Sequence, residues 1–266
     1  MLDTACRAYQ KLFRAAHPEE AKLVELHQSG QNEQFLVEYF AHEYRKGAAV
    51  VERFRKLAPA WKGGRCLDFG CGGGGLSYRI AEQCDSVVGI DLEEDKIAFA
   101  KAQATRLNKS NVDFICYPGG DLPFEGNSFD SIVCIDVVEH LPTPERFFAE
   151  FRRVLKPGGL LLLSFGPPWR HAHGKHMWAK LPGWWTHLLF PRRTVMRVAG
   201  FPADSTWEQL GIMRLTVSHF HRIIKGSGLT TVHLEEHIKS VLKPLKLLPW
   251  VRELFISEVV GVFRKD

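Results

Sequence analysis

Apolar positions change their spacing several times along the chain. Phe35, Leu36, Tyr39 and Phe40 recur at near-helical intervals, as Leu23 and Leu26 do earlier, and residues 1–58 read as helices. Pro59 and the Gly63-Gly64 pair end that pattern. Short apolar, β-rich runs follow at 65–69, 86–90, 111–116, 130–135 and 159–165, with two more at 229–236 and 257–264. Helical patterns separate them at 93–107, at 144–155 (stopped by Pro157 and Gly158) and at 217–225, ending near Gly226. Strands alternating with helices predict an α/β fold: a parallel, doubly wound sheet with helices on both faces. One stretch breaks the rhythm. Residues 166–212 are too long for a connector and rich in Trp, His, Pro and Arg, which predicts an insertion capping a site. The expected organisation is a helical extension over 1–58 and a main domain over 59–266 carrying that cap.

The first strand runs straight into glycine: Cys66 to Ser77 read Cys-Leu-Asp-Phe-Gly-Cys-Gly-Gly-Gly-Gly-Leu-Ser. Such a loop lets a large ligand touch bare backbone. Asp91 closes the next apolar run, a spacing that suits a nucleoside across two neighbouring strand ends with the carboxylate on a ribose. Capping the helix that begins at Glu93-Glu94 is a second, compatible role for Asp91. Gly70, Gly72 and Gly75 also satisfy the dinucleotide pattern, so an NAD(P)-dependent oxidoreductase is the rival reading. Asp68 argues against it, because a carboxylate two residues before the first glycine repels a pyrophosphate and suits an ammonium and a sulfonium.

At this point the sequence resembles the class I S-adenosylmethionine-dependent methyltransferases, of the small-molecule, type 11-like kind. The resemblance rests on Leu67-Asp68-Phe69-Gly70-Cys71-Gly72-Gly73-Gly74, Leu122-Pro123-Phe124, Ser128-Phe129-Asp130, Asp136-Val137-Val138-Glu139-His140-Leu141 and Arg152 to Gly159, in that order. It implies a Rossmann-like sheet of seven strands, the last antiparallel, and S-adenosyl-L-methionine as cofactor. It further implies that Asp68, Gly70, Cys71, Gly72 and Gly74 hold the methionine part, that Asp91 accepts from both ribose hydroxyls, and that Leu92 packs on adenine. Asp136 and Val137 would lie beside the methionine moiety and the acceptor. Relatives commonly place an acid about four residues before the Leu-Pro-Phe; here that position is Pro118 and the acid is Asp121. Either Asp121 reaches the adenine or the backbone from Pro118 to Gly120 substitutes for it.

Methyl transfer from a sulfonium is a direct displacement, so the protein has to align the reactants, exclude water and, where needed, remove a proton. His140 is a candidate general base, since imidazole titrates near neutrality; a structural hydrogen bond is the competing role. His171, His173 and His176 crowd Gly174-Lys175 in the cap without a local carboxylate or cysteine. No zinc spacing results, and no metal is expected. His173 is read as a second candidate proton acceptor, and Lys175 with Arg170 as a candidate site for an acidic acceptor.

Charge sharpens the acceptor question. The total is +5, but residues 166–266 carry 15 Lys/Arg against 7 Asp/Glu and the remainder 20 against 23. Gly166-Pro167-Pro168-Trp169 resembles the Pro-Pro-aromatic motif of DNA amino-methyltransferases, yet it follows the fifth strand rather than the fourth, which argues against nucleic acid. The stretches 181–193 and 242–252 mix aromatic, aliphatic and basic residues, suiting either core packing with snorkelling cations or peripheral contact with an anionic membrane. The six cysteines have no Cys-x-x-Cys spacing and no signal-peptide pattern opens the chain, so a cytoplasmic location is expected. The expectation is a transferase methylating a small molecule, on oxygen in preference to nitrogen or carbon, with an isoprenoid quinone, a lipid or a lipid-linked glycan as acceptor. A cofactor-binding module without catalysis is the alternative from another class, and the oligomeric state is left open.

Overall fold

The computed structural model describes residues 2–14, 32–176, 180–181, 183–238 and 251–266. Leu23, Leu26 and most of the 242–252 stretch lie outside the described residues. The chain opens with helices α1 (Leu2–Arg14) and α2 (Asn32–Leu57). Strand β1 (Arg65–Phe69), helix α3 (Gly75–Ile80), β2 (Ser86–Asp91), α4 (Glu94–Arg106) and β3 (Val112–Cys116) make the first half of the sheet. Strand β4 (Phe129–Ile135), α5 (Pro144–Val154) and β5 (Leu155–Phe165) follow. Helices α6 (Thr186–Leu189) and α7 (Arg192–Val198) belong to the insertion, and α8 (Val217–Gly226), β6 (Thr230–Ile238) and β7 (Ile256–Arg264) complete the fold.

The sheet order is β3-β2-β1-β4-β5-β7-β6. β7 runs antiparallel to both neighbours, whereas the other adjacent strands are parallel. The expected seven-stranded, doubly wound sheet with an antiparallel last strand is therefore observed. The order reverses between β1 and β4, which opens a crevice at the carboxyl ends of these strands.

Both faces are covered for reasons visible in the helices. In α5, Pro144 stands at the start, where its missing N–H costs nothing, and Phe147, Phe148, Phe151 and Val154 form one buried stripe. That stripe packs with Phe220 and Ile223 of α8 against Leu67, Ile132 and Leu163 of the strands. Each such side chain contributes about 1.5–3 kcal/mol by leaving water. On the other face, Val51, Phe54 and Ala58 join Tyr78, Ile80, Ile97 and Ala100 over Val87 and Val133. The second half of α2 thus shares a core with the sheet. The insertion has a small cluster of its own, Leu181, Val195, Met196, Trp207 and Ile212. Helix α1 lies against α7, where Arg197 Nε sits 3.1 Å from Asp3 Oδ2.

Two boundaries differ from expectation. β5 begins at Leu155 rather than residue 159, because Leu155 pairs with Phe129 before a register shift carries Ser131 to Leu160. Helix α4 has Glu93 at its N-cap position, and Asp91 accepts from the Glu93 N–H at 3.0 Å, two residues ahead of the cap itself.

Candidate active site

β1 ends in a tight turn that only glycine fits. Gly70 has φ +80°, and a Cβ there would lie 2.3 Å from Val137 Cγ2, so the first loop glycine is pressed against the end of β4. The loop is then tied to the next strand: the Gly70 and Cys71 N–H groups donate to the Ile90 carbonyl, and the Gly72 N–H donates to Asp91 Oδ2 at 2.9 Å. With Oδ1 held by the Glu93 N–H, each Asp91 oxygen has one backbone partner and a second lone pair left.

A cavity of about 410 Å³ opens at these strand ends. Among the predicted site residues it gathers Gly70, Asp91, Leu92, Gly120, Asp136, Val137 and His140 on its wall. Leu92 is 73% exposed, an apolar side chain offered to the cavity. Gly119 and Gly120 have φ of +101° and +99°, and nothing lies within 4 Å of a Cβ built on either, so bare backbone faces open space. The Tyr117 hydroxyl donates to the Gly120 carbonyl and fixes that turn. An apolar plate, bare peptide and a carboxylate with spare lone pairs fit a nucleoside.

The remaining predicted residues lie elsewhere. Asp68 is 1% exposed and accepts from Ser77 Oγ at 2.5 Å; burial pushes its carboxyl up to about 7, with Ser77 opposing and the charges of Glu43 and Asp91 adding. Cys71, Gly72 and Gly74 form the back of the loop, outside the cavity wall. Asp121 also lies outside that wall, paired with Arg146 at 2.7 Å, and Pro118, Gly119 and Gly120 line the cavity in its place. Burial raises Glu139 to about 8, with the negative charge of Asp136 second. Four carboxyl groups, those of Asp68, Asp91, Asp136 and Glu139, thus gather at the strand ends, and burial favours the neutral form of Asp68 and Glu139.

The histidine cluster is rearranged relative to its sequence grouping. His171 and His173 stay together, rings 5.5 Å apart, and neither is on the cavity wall. His176 is the one that meets His140, with ring centroids 5.2 Å apart. Burial lowers His176 to about 4. The expected anion site does not form: Lys175 is 1% exposed, donates to the Gly183 carbonyl at 2.6 Å, and is lowered to about 8 by burial, while Arg170 faces Glu253.

Two contributors from α2 carry no sequence motif. Lys46 Nζ meets Asp136 Oδ2 at 2.5 Å, and Tyr39 lies over the glycine loop, its hydroxyl 2.9 Å from where a Gly72 Cβ would be. Burial and the carboxylates of Glu43 and Asp91 raise the Tyr39 phenol, so it stays a neutral donor. A second cavity, of about 440 Å³, lies at the amino ends of the strands against Trp61, Asp130 and Lys156, away from the glycine loop.

Fold and site together define a class I S-adenosylmethionine-dependent methyltransferase domain. Residues 67–163 match the family described as methyltransferase domain. The ubiquinone biosynthesis O-methyltransferase of Coxiella burnetii is 37% identical over 103 residues, covering 39% of this chain and 44% of that protein. This chain thus spans under half the length of the curated relatives it matches first. The S-adenosylmethionine-dependent methyltransferase of Mesorhizobium loti superposes with a TM-score of 0.55 at 21% identity, over 80% of this chain and 96% of that one. Phosphoethanolamine N-methyltransferase 2 of Haemonchus contortus, solved with S-adenosyl-L-methionine, gives 0.55 at 18%, over 83% and 52%. At these identities the likeness concerns the fold.

Proposed function

We propose that the protein transfers a methyl group from S-adenosylmethionine to a hydroxyl of a small, largely apolar acceptor of the quinone or lipid class. The observation that carries this reading is the cavity at the switch point, walled by Asp91 and bare glycine backbone on one side and by Asp136 and His140 on the other. When bound, S-adenosylmethionine supplies an electrophilic methyl group on a sulfonium. Asp91 would hold the ribose hydroxyls, Leu92 would cover the adenine, and backbone from Pro118 to Gly120 would meet its edge. Asp68, buried at the end of β1 behind the glycine loop and held by Ser77, would support the loop that meets the methionine part.

His140 is oriented for the acceptor side. Its Nδ1 lies 2.8 Å from the Gly211 carbonyl oxygen, which can only accept, so Nδ1 carries the proton and Nε2 keeps a lone pair. A hydroxyl directed at Nε2 gives up its proton as the oxygen attacks. The 166–212 segment closes over this side as a cap, reaching the site through Gly211 and His176. Trp184, Leu188 and Leu189 are exposed on it, and the positive charge of the C-terminal region accompanies them, which supports an apolar acceptor taken at a membrane surface from the cytoplasm. Among the described residues no helix is long and apolar enough to cross a membrane. The names of the Coxiella and Rhizobium relatives support an oxygen acceptor.

Calorimetry with S-adenosylmethionine and with NAD tests the cofactor: saturation by NAD alone refutes the reading. Transfer of label from the cofactor to a polyprenyl catechol tests the acceptor class. His140→Ala should lower the rate about 100-fold or more with cofactor affinity unchanged, and label appearing only on amines would overturn the oxygen assignment.

A further inference from the structure

Glu139, His140 and His176 come from two distant parts of the chain, and one ligand atom of each lies within 4.8 Å of those of the other two. We infer that this trio binds a divalent cation of the zinc, cobalt or manganese type, and that the cation holds the acceptor oxygen. The second clause rests on the methyl-transfer reading; the first does not.

Each member is oriented by one backbone hydrogen bond that leaves its other polar atom for a ligand. The Gly166 N–H donates to Glu139 Oε1 at 3.0 Å, and Oε2 is buried without any hydrogen-bond partner. A buried carboxylate oxygen with no partner is costly, and a cation satisfies it. His140 Nδ1 faces the Gly211 carbonyl at 2.8 Å, and His176 Nε2 faces the Pro167 carbonyl at 2.9 Å. Carbonyls only accept, so these nitrogens carry the ring protons. Nε2 of His140 and Nδ1 of His176 are left as lone pairs, as in metal-bound imidazoles whose other nitrogen donates to a carbonyl oxygen.

Two imidazoles and one carboxylate suit a borderline cation better than magnesium, which favours oxygen and water. Bonds of about 2.0–2.2 Å draw such donors to roughly 3–3.5 Å apart, so side-chain movement of about an ångström closes the site. Glu139 is 4% exposed, whereas His140 lies on the cavity wall. The trio therefore leaves a coordination position directed into the cavity, where a hydroxyl of the acceptor can sit. With the cation bound, His140 Nε2 is a ligand and the hydroxyl's proton passes to water; Nε2 is the proton acceptor in the cation-free protein.

Cobalt(II) reports its own coordination. Chelator-treated full-length protein titrated with Co2+ should bind one equivalent with visible absorption of low-symmetry cobalt, displaced by Zn2+. Glu139→Gln and His176→Ala should each weaken Co2+ binding at least about tenfold. Calorimetry with S-adenosylmethionine serves as the folding control, because neither residue lines the nucleoside end. Co2+ binding equal in wild type and both variants, or none in wild type, overturns the site. Methyl transfer at full rate in the chelated protein overturns the acceptor role while leaving the methyltransferase reading intact. Cobalt binding in a protein that ignores S-adenosylmethionine leaves the cation site standing and sinks the methyl-transfer reading.

Discussion

Asp68→Asn should make the protein more stable at neutral and alkaline pH, an unusual outcome for a buried polar residue. The carboxyl is 1% exposed, and the one hydrogen bond shown for it comes from Ser77 Oγ. Burial raises its pKa from the ordinary 3.8 to about 7. The sign follows from proton binding. Below pH 3.8 the group is protonated in folded and unfolded chains alike and contributes no pH dependence. Between 3.8 and about 7 the unfolded chain releases the proton and the folded chain keeps it, so stability falls by about 1.4 kcal/mol per pH unit and levels off above. The full loss is about 4 kcal/mol. An amide carries no charge to desolvate and can still accept from Ser77, although its NH2 then needs a partner, which returns about 1–2 kcal/mol of the gain. Urea unfolding of both proteins from pH 4 to 8.5 reads the difference directly, since other groups titrate in both. The difference should grow by about 4 kcal/mol over that range. Parallel curves, or a variant less stable at pH 8, refute the argument. If Asp68 meets the cofactor's ammonium, the same variant binds S-adenosylmethionine more weakly while being more stable.

Asp91→Ala removes the acceptor of the Gly72 and Glu93 N–H groups. It should cost about 1–2 kcal/mol in urea unfolding and abolish S-adenosylmethionine binding by calorimetry; unchanged affinity would remove Asp91 from the site. Gly70→Ala combines a positive φ with a Cβ 2.3 Å from Val137 Cγ2 and should destabilise by about 2–4 kcal/mol. Adding Val137→Ala should recover part of that loss in a double-mutant cycle, and strict additivity would show that the two do not touch. Lys46→Ala should change stability by less than about 1 kcal/mol, because the pair it forms with Asp136 is partly exposed. Any larger effect on turnover than on unfolding would mark Lys46 as a contributor to the site.

The parts of this molecule that could be read from sequence are those written locally. Strand β1, the glycine loop and Asp91 declare themselves because an apolar run, a bare turn and an acid stand at fixed short spacings. Leu155 was not legible as the start of β5, because Lys156, Pro157 and Gly158 look like a break and only the pairing with Phe129 extends the strand. The site residues that sequence missed are those brought in by packing. Lys46 and Asp136 are 90 residues apart, and nothing in the amphipathic pattern of α2 marks one lysine among its several cations. The histidines mislead for the same reason. His171, His173 and His176 look equivalent along the chain, but beyond the turn at Gly174 it is His176 that meets His140, and the carboxylate near it is Glu139, far away in sequence.

The reversed direction of β7 has a practical corollary. Lys265, just past that strand, donates to the Leu155 carbonyl, and the Gly158 N–H donates back to the Lys265 carbonyl, so Lys265 and Asp266 lie at the pole opposite the nucleoside crevice. A dye or a bead attached at Asp266 would therefore sit near the second cavity, at the end of the sheet away from the glycine loop, and leave the mouth of the first cavity free.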